Sequence, residues 1–100
     1  MSITISQVRE DLKEIRYYYS MKELFDSAAN TVKPVVLLNK VAMYNEAMKS
    51  APGRLFVIYV SLYVHNNSQT ALADDWGFGR EYIKDLNQRL VEYLDRKSVV

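Results

Sequence analysis

The chain has 100 residues, a net charge of +1, 49% hydrophobic residues and no cysteine. A single domain suits this length, and a chain of this size hides roughly 65% of its unfolded surface, enough for a core without staples. The missing cysteines exclude a disulfide framework and, with only one histidine, leave no ligand set for zinc, while the near balance of charge leaves neither half of the chain basic.

That balance bears on function. Residues 1–53 hold seven Lys/Arg against six Asp/Glu, and residues 54–100 hold six against six. Any affinity for nucleic acid must therefore come from local arrangement or from a partner.

The chain opens with MSITISQ, which lacks the cationic stretch and apolar run of a signal peptide. Ser6 is the expected N-cap of a first helix, in which Val8, Leu12, Ile15 and Tyr19 recur at helical spacing. Tyr18, Met21, Phe25 and Ala28 carry the stripe onward, and the helix is expected to fade near Ala29–Asn30. Pro34 suits the first turn of a second helix, whose stripe is Leu37, Leu38, Val41, Tyr44 and Met48 and whose end is expected near Ser50. Residues 1–50 thus read as an N-terminal helical hairpin, and residues 51–97 as the region that follows it in the same domain.

Leu55 to Val64, LFVIYVSLYV, is rich in β-branched and aromatic residues. It reads as a central, buried helix because Pro52 sits where a helix starts and its surroundings are helical. Its longest apolar run, Leu55 to Val60, is far short of the ~20 residues that span a bilayer. The fold class is therefore all-α, a small helical bundle in a soluble, cytoplasmic protein.

The informative stretch runs from Ser68 to Leu94. Ser68 caps a short helix from Gln69 to Trp76, with Leu72 and Trp76 inward and Ala73 small enough for a second helix to cross closely. Gly77 follows where a left-handed residue is wanted. Phe78 is expected to fold back as an apolar plug, and Gly79 lets the chain turn again. The next helix starts near Arg80 and buries Ile83, Leu86, Leu90 and Leu94. Two helices joined by a short glycine-bearing turn form the unit that places its second helix in the major groove. An ordinary helical hairpin with glycine as a C-cap is the plainer reading of the same residues.

Counted from Gln69, alanine falls at position five, glycine at nine and isoleucine at fifteen, with apolar residues at four, eight, ten and eighteen. This order resembles the helix-turn-helix of bacterial repressors, activators and sigma factors. The longer segment APGRLFVIYVSLYVHNNSQTALADDWGFGREYIKDLNQRLVEYL, with LKEIRYYYS and VAMYNEAMKSAP upstream, resembles small phage-encoded regulators of Gram-positive bacteria, the ArpU and RinA types. The resemblance spans most of residues 12–94. It implies a fold similar to the promoter-reading domain of sigma factors and a role in activating phage late or packaging genes. The chain is short for that group.

In the second helix of this unit a 100° step per residue points Glu81, Lys84, Asp85 and Gln88 outward, with Arg80 at the entry to the groove. Arg80 suits guanine or phosphate, Gln88 suits adenine, Lys84 suits phosphate, and Glu81 and Asp85 suit a cytosine amino group. A merely solvated face is the alternative for each. Gln69 and Thr70 open the preceding helix, where backbone amides suit a phosphate. Asn87 falls near the inner stripe and suits a structural hydrogen bond.

Other constellations point to no chemistry. Asp74 and Asp75 diverge by 100° on a helix, which suits neither metal nor acid–base work. His65 is a loop histidine, and Tyr17, Tyr18 and Tyr19 suit core and dimer contacts rather than base stacking. With no phosphate-binding glycine loop and no nucleophile–base set, no enzyme and no cofactor is expected. The expected partners are double-stranded DNA, a second copy of the chain in a homodimer, and RNA polymerase. A protein-interaction module, such as an anti-repressor or an inhibitor of a host protein, is the rival class, and the near-neutral charge favours it.

Overall fold

The computed structural model describes residues 4–22 and 35–97, and every element among them is helical. The all-α expectation is borne out. Among the described residues no helix is long and apolar enough to cross a membrane.

The first helix, α1, spans Ile5–Ser20. Its cap is Thr4 rather than Ser6: Thr4 is extended, and its Oγ1 accepts from the Gln7 amide at 3.2 Å. A capping residue must stay outside the helix while its oxygen reaches the third amide on, and Ser6 is already in the first turn. At the other end the Met21 amide reaches the Tyr17 and Tyr18 carbonyls, and the Ser20 hydroxyl turns back to the Tyr17 carbonyl at 2.7 Å. That side-chain bond competes with the helical ladder. α1 ends at Ser20 with Met21 as its cap, short of the expected Ala29–Asn30; Phe25, Ala28, Ala29, Asn30 and Pro34 lie outside the described residues.

Helix α2, Val35–Met48, stops two residues short of the expected end, where Lys49 and Ala51 turn back onto Glu46 and Met48. Helix α3, Gly53–Tyr59, begins at extended Pro52, whose carbonyl takes the Leu55 and Phe56 amides. The segment Val60–Val64 continues it as one wide π-turn, closed by the His65 amide on the Val60 carbonyl at 2.8 Å. The β-branched run is thus helical, with a last turn wider than an α-helix, but it is not buried all round as expected: Leu55, Ile58, Tyr59 and Leu62 face the core, while Phe56 and Val57 are on the outer side, each 46% exposed.

Ser68 caps α4, Gln69–Trp76, by accepting from the Ala71 amide at 3.0 Å. Gly77 is left-handed, at φ 72°, and the amides of Phe78 and Gly77 close on the Ala73 and Asp74 carbonyls. This reciprocal pair satisfies carbonyls the helix end would otherwise strand. Helix α5 then runs Arg80–Lys97. Cap, turn and restart fall where Ser68, Gly77 and Arg80 place them.

One core joins all the helices. Val8 and Ile15 of α1, Tyr44 of α2, Ile58 of α3, Leu72 of α4 and Leu90 of α5 belong to it. Each fully buried aliphatic side chain stabilises the fold by about 1.5–3 kcal/mol. α1 lies against α2, the π-turn and α5 at once. Polar groups inside are paired. Asp11 accepts from Tyr44 at 2.6 Å and Gln7 at 2.8 Å and meets Lys40 at 3.0 Å. Tyr59 donates to Asn45 at 2.7 Å, and Asn45 donates to Tyr19 at 3.0 Å.

Candidate nucleic-acid interface

Helix α5 sorts its residues as a 100° step requires. Ile83, Leu86, Leu90 and Leu94 are buried, as expected, and Val91 joins them. Asn87 is buried too and accepts a hydrogen bond from the Tyr63 hydroxyl, the structural role its position suggests. Arg80, Glu81, Lys84, Asp85 and Arg89 are exposed.

These exposed residues are not equivalent. Asp85 pairs with Arg89 at 3.0 Å, one turn along the helix. Arg80 and Lys84 lie one turn apart on a single flank, and among the described residues neither has a carboxylate partner. Glu81 stands beside them in the first turn, where an acid suits the helix dipole.

Gln88 departs from its expected free outward position. It is half-buried: its amide oxygen accepts from the Arg9 guanidinium of α1, and its amide nitrogen donates to Glu92 at 3.3 Å. The cause is α1, which runs beside α5 at this point and claims the side chain. At the start of α4, Gln69 is half-buried and Thr70 exposed.

Phe78 is a second correction. It is 53% exposed and lies across Tyr82, ring centroids 4.7 Å apart, instead of plugging the turn. Leu72, Ala73 and Ile83 supply the buried apolar contacts at that turn, and Phe78 stays outside them. Phe78 instead borders an apolar groove of about 370 Å³ with Val57, Trp76, Tyr82 and Leu86, while Arg54 donates to the Tyr82 hydroxyl at 2.9 Å.

The spacing of the α5 residues pointed to them alone. The structure adds cations from α1. Arg9 reaches Gln88, and Arg16 donates to the side chain of Asn66 at 3.2 Å and to its backbone carbonyl. Asn66 is in the left-handed conformation, φ 60°, three residues before α4 begins. Tyr63 lies between these arginines: burial raises its phenol above the ordinary range, opposed by the Asn87 hydrogen bond and by Arg9 and Arg16. The spacing of Arg9, Lys13 and Arg16 at i, i+4 and i+7 was the available signal.

Among the described residues no three of His, Cys, Asp or Glu gather as a metal set. No family model matches this chain, and searches of curated proteins and of solved structures find no match either.

Proposed function

We propose that this protein binds duplex DNA in a sequence-specific way and regulates transcription, with the first turns of α5 in the major groove. The observation that carries this reading is the glycine-turned pair α4 and α5, whose second helix opens with Arg80 and Lys84 exposed and, among the described residues, in no ion pair. In this reading Arg80 pairs with guanine or phosphate, Lys84 meets phosphate, and Glu81 accepts from a cytosine amino group. The first amides of α4, at Gln69 and Thr70, hold a backbone phosphate. Gln88 is withdrawn from base contact by Arg9.

The likeness to phage-encoded regulators of the ArpU and RinA types supports a phage or prophage origin, a cytoplasmic setting and RNA polymerase as a partner. A homodimer would present two α5 helices about 34 Å apart, one turn of duplex. The test is a gel shift against promoter DNA from beside the coding sequence. Arg80→Ala/Lys84→Ala is expected to weaken binding about tenfold or more, at 1–3 kcal/mol for a base-pairing arginine. Undiminished binding by this variant refutes the assignment of α5.

The exposed groove at Val57, Trp76, Phe78 and Tyr82 favours a second reading, a module that docks on another protein. A complete absence of duplex binding supports it over the first.

A further inference from the structure

Helix α1 separates its charges by side. Arg9, Lys13 and Arg16 occupy one flank, at steps of four and three residues that stack along a helix. Glu14 and Asp11 occupy the other and are taken by Lys40 of α2. A chain of net charge +1 therefore holds a one-sided cationic strip, because Asp11 and Glu14 of the same helix are turned toward Lys40 of α2.

The strip lies beside the proposed DNA-reading unit. Arg9 touches Gln88, the residue one turn beyond Lys84 on α5, and Arg16 holds the loop that leads into α4. With Ser6 and Tyr63 these residues line a hollow of about 410 Å³, in which Glu10 offsets Lys13 alone, at 3.3 Å. Arg9 and Arg16 bind only amide and carbonyl oxygens, so neither charge is cancelled, and a guanidinium with five donors has several left.

We propose that Arg9, Lys13 and Arg16 form a second contact line for the phosphodiester backbone of duplex DNA, flanking the groove that α5 enters. The inference rests on the duplex-binding reading above. From Arg9 to Arg16 the helix rises about 10 Å, long enough for the two ends of the strip to meet different phosphates of one strand. Two arginines that have no carboxylate partner among the described residues, on the flank next to α5, favour an anionic backbone lying beside the groove as occupant.

The test is fluorescence anisotropy of the full chain with a labelled mixed-sequence duplex across a salt series. Wild type is compared with Arg9→Gln/Lys13→Gln/Arg16→Gln and with Arg80→Gln/Lys84→Gln, each checked for folding by circular dichroism. Loss of three phosphate contacts lowers the slope of log affinity against log salt by about 2.7, so wild type loses about 40-fold more affinity between ~50 and ~200 mM salt than the α1 variant. That result supports the contact line. An α1 variant that binds with wild-type affinity and slope, while the α5 variant is weakened, overturns the contact line and leaves the duplex-binding reading intact. Absence of duplex binding by wild type overturns both.

Discussion

The carboxylate of Asp11, buried in α1, accepts a hydrogen bond of 2.6 Å from the hydroxyl of Tyr44, buried in α2. Lys40 closes on the same carboxylate at 3.0 Å, and Gln7 donates to it at 2.8 Å. A buried charge keeps its solvation only through such donors, so each one matters more than an exposed ion pair would. Tyr44→Phe is expected to lower stability by about 1.5–3 kcal/mol, the range for a hydrogen bond to a charged group. Asp11→Ala should cost about 1–3 kcal/mol, since it leaves the buried Tyr44 hydroxyl without its acceptor while Lys40 keeps Glu14. Urea denaturation of the two variants measures both, and a Tyr44→Phe protein as stable as wild type would contradict this account.

Three phenols make the fold sensitive to alkali. Burial first, and the bond to Asp11 second, holds the Tyr44 phenol well above its ordinary value of 10.0. Burial does the same to Tyr59, with Tyr19 adding to it, and to Tyr63. Lys40 is raised as well, chiefly by its hydrogen bond to Glu14. A folded value above the unfolded one means the native state keeps its protons longer, so this stability is whole below pH about 10 and falls as pH climbs beyond it. Stability is expected to drop steeply above pH ~10, and Tyr59→Phe should flatten that fall. Ultraviolet titration tests it: of eight tyrosines, these three should ionise only as the chain opens.

The turn between α4 and α5 depends on the backbone of Gly77. Its φ of 72° is the conformation a side chain disfavours, while a Cβ there would meet nothing within 4 Å. Gly77→Ala should therefore cost about 1–2 kcal/mol from backbone conformation alone. Gly77→Asn should cost less, because asparagine tolerates that region. Thermal unfolding of the pair separates the cases, and an alanine variant equal to wild type would contradict this account.

Phe78 and Leu86 border the same groove with different burial. Phe78 is 53% exposed, and Leu86 is 4% exposed. Phe78→Ala is expected to change stability by less than about 1 kcal/mol, and Leu86→Ala to lower it by about 2–5 kcal/mol. Equal losses in denaturant would show that Phe78 is a core residue after all.

Local chemistry made the second half of the chain readable. Ser68, Gly77 and the spacing of Ile83, Leu86, Leu90 and Leu94 act within a few residues of themselves, and the boundaries of α4 and α5 follow. The misplaced cap, Thr4 for Ser6, is itself local, but other positions depend on distant chain. Gln88 is set by Arg9, 79 residues away, and Arg16 by Asn66, 50 residues away. Asp11 did leave a trace: a carboxylate between Val8, Leu12 and Ile15 on an apolar stripe implies a buried partner.

The wide turn at Val60–Val64 spends one more residue on its loop than an α-turn would, closing His65 onto Val60. Its consequence is a difference in aim. Tyr59, just before it, sends its hydroxyl to Asn45, and Tyr63, within it, sends its own to Asn87. Neighbouring rings of one rod thereby fasten two separate walls.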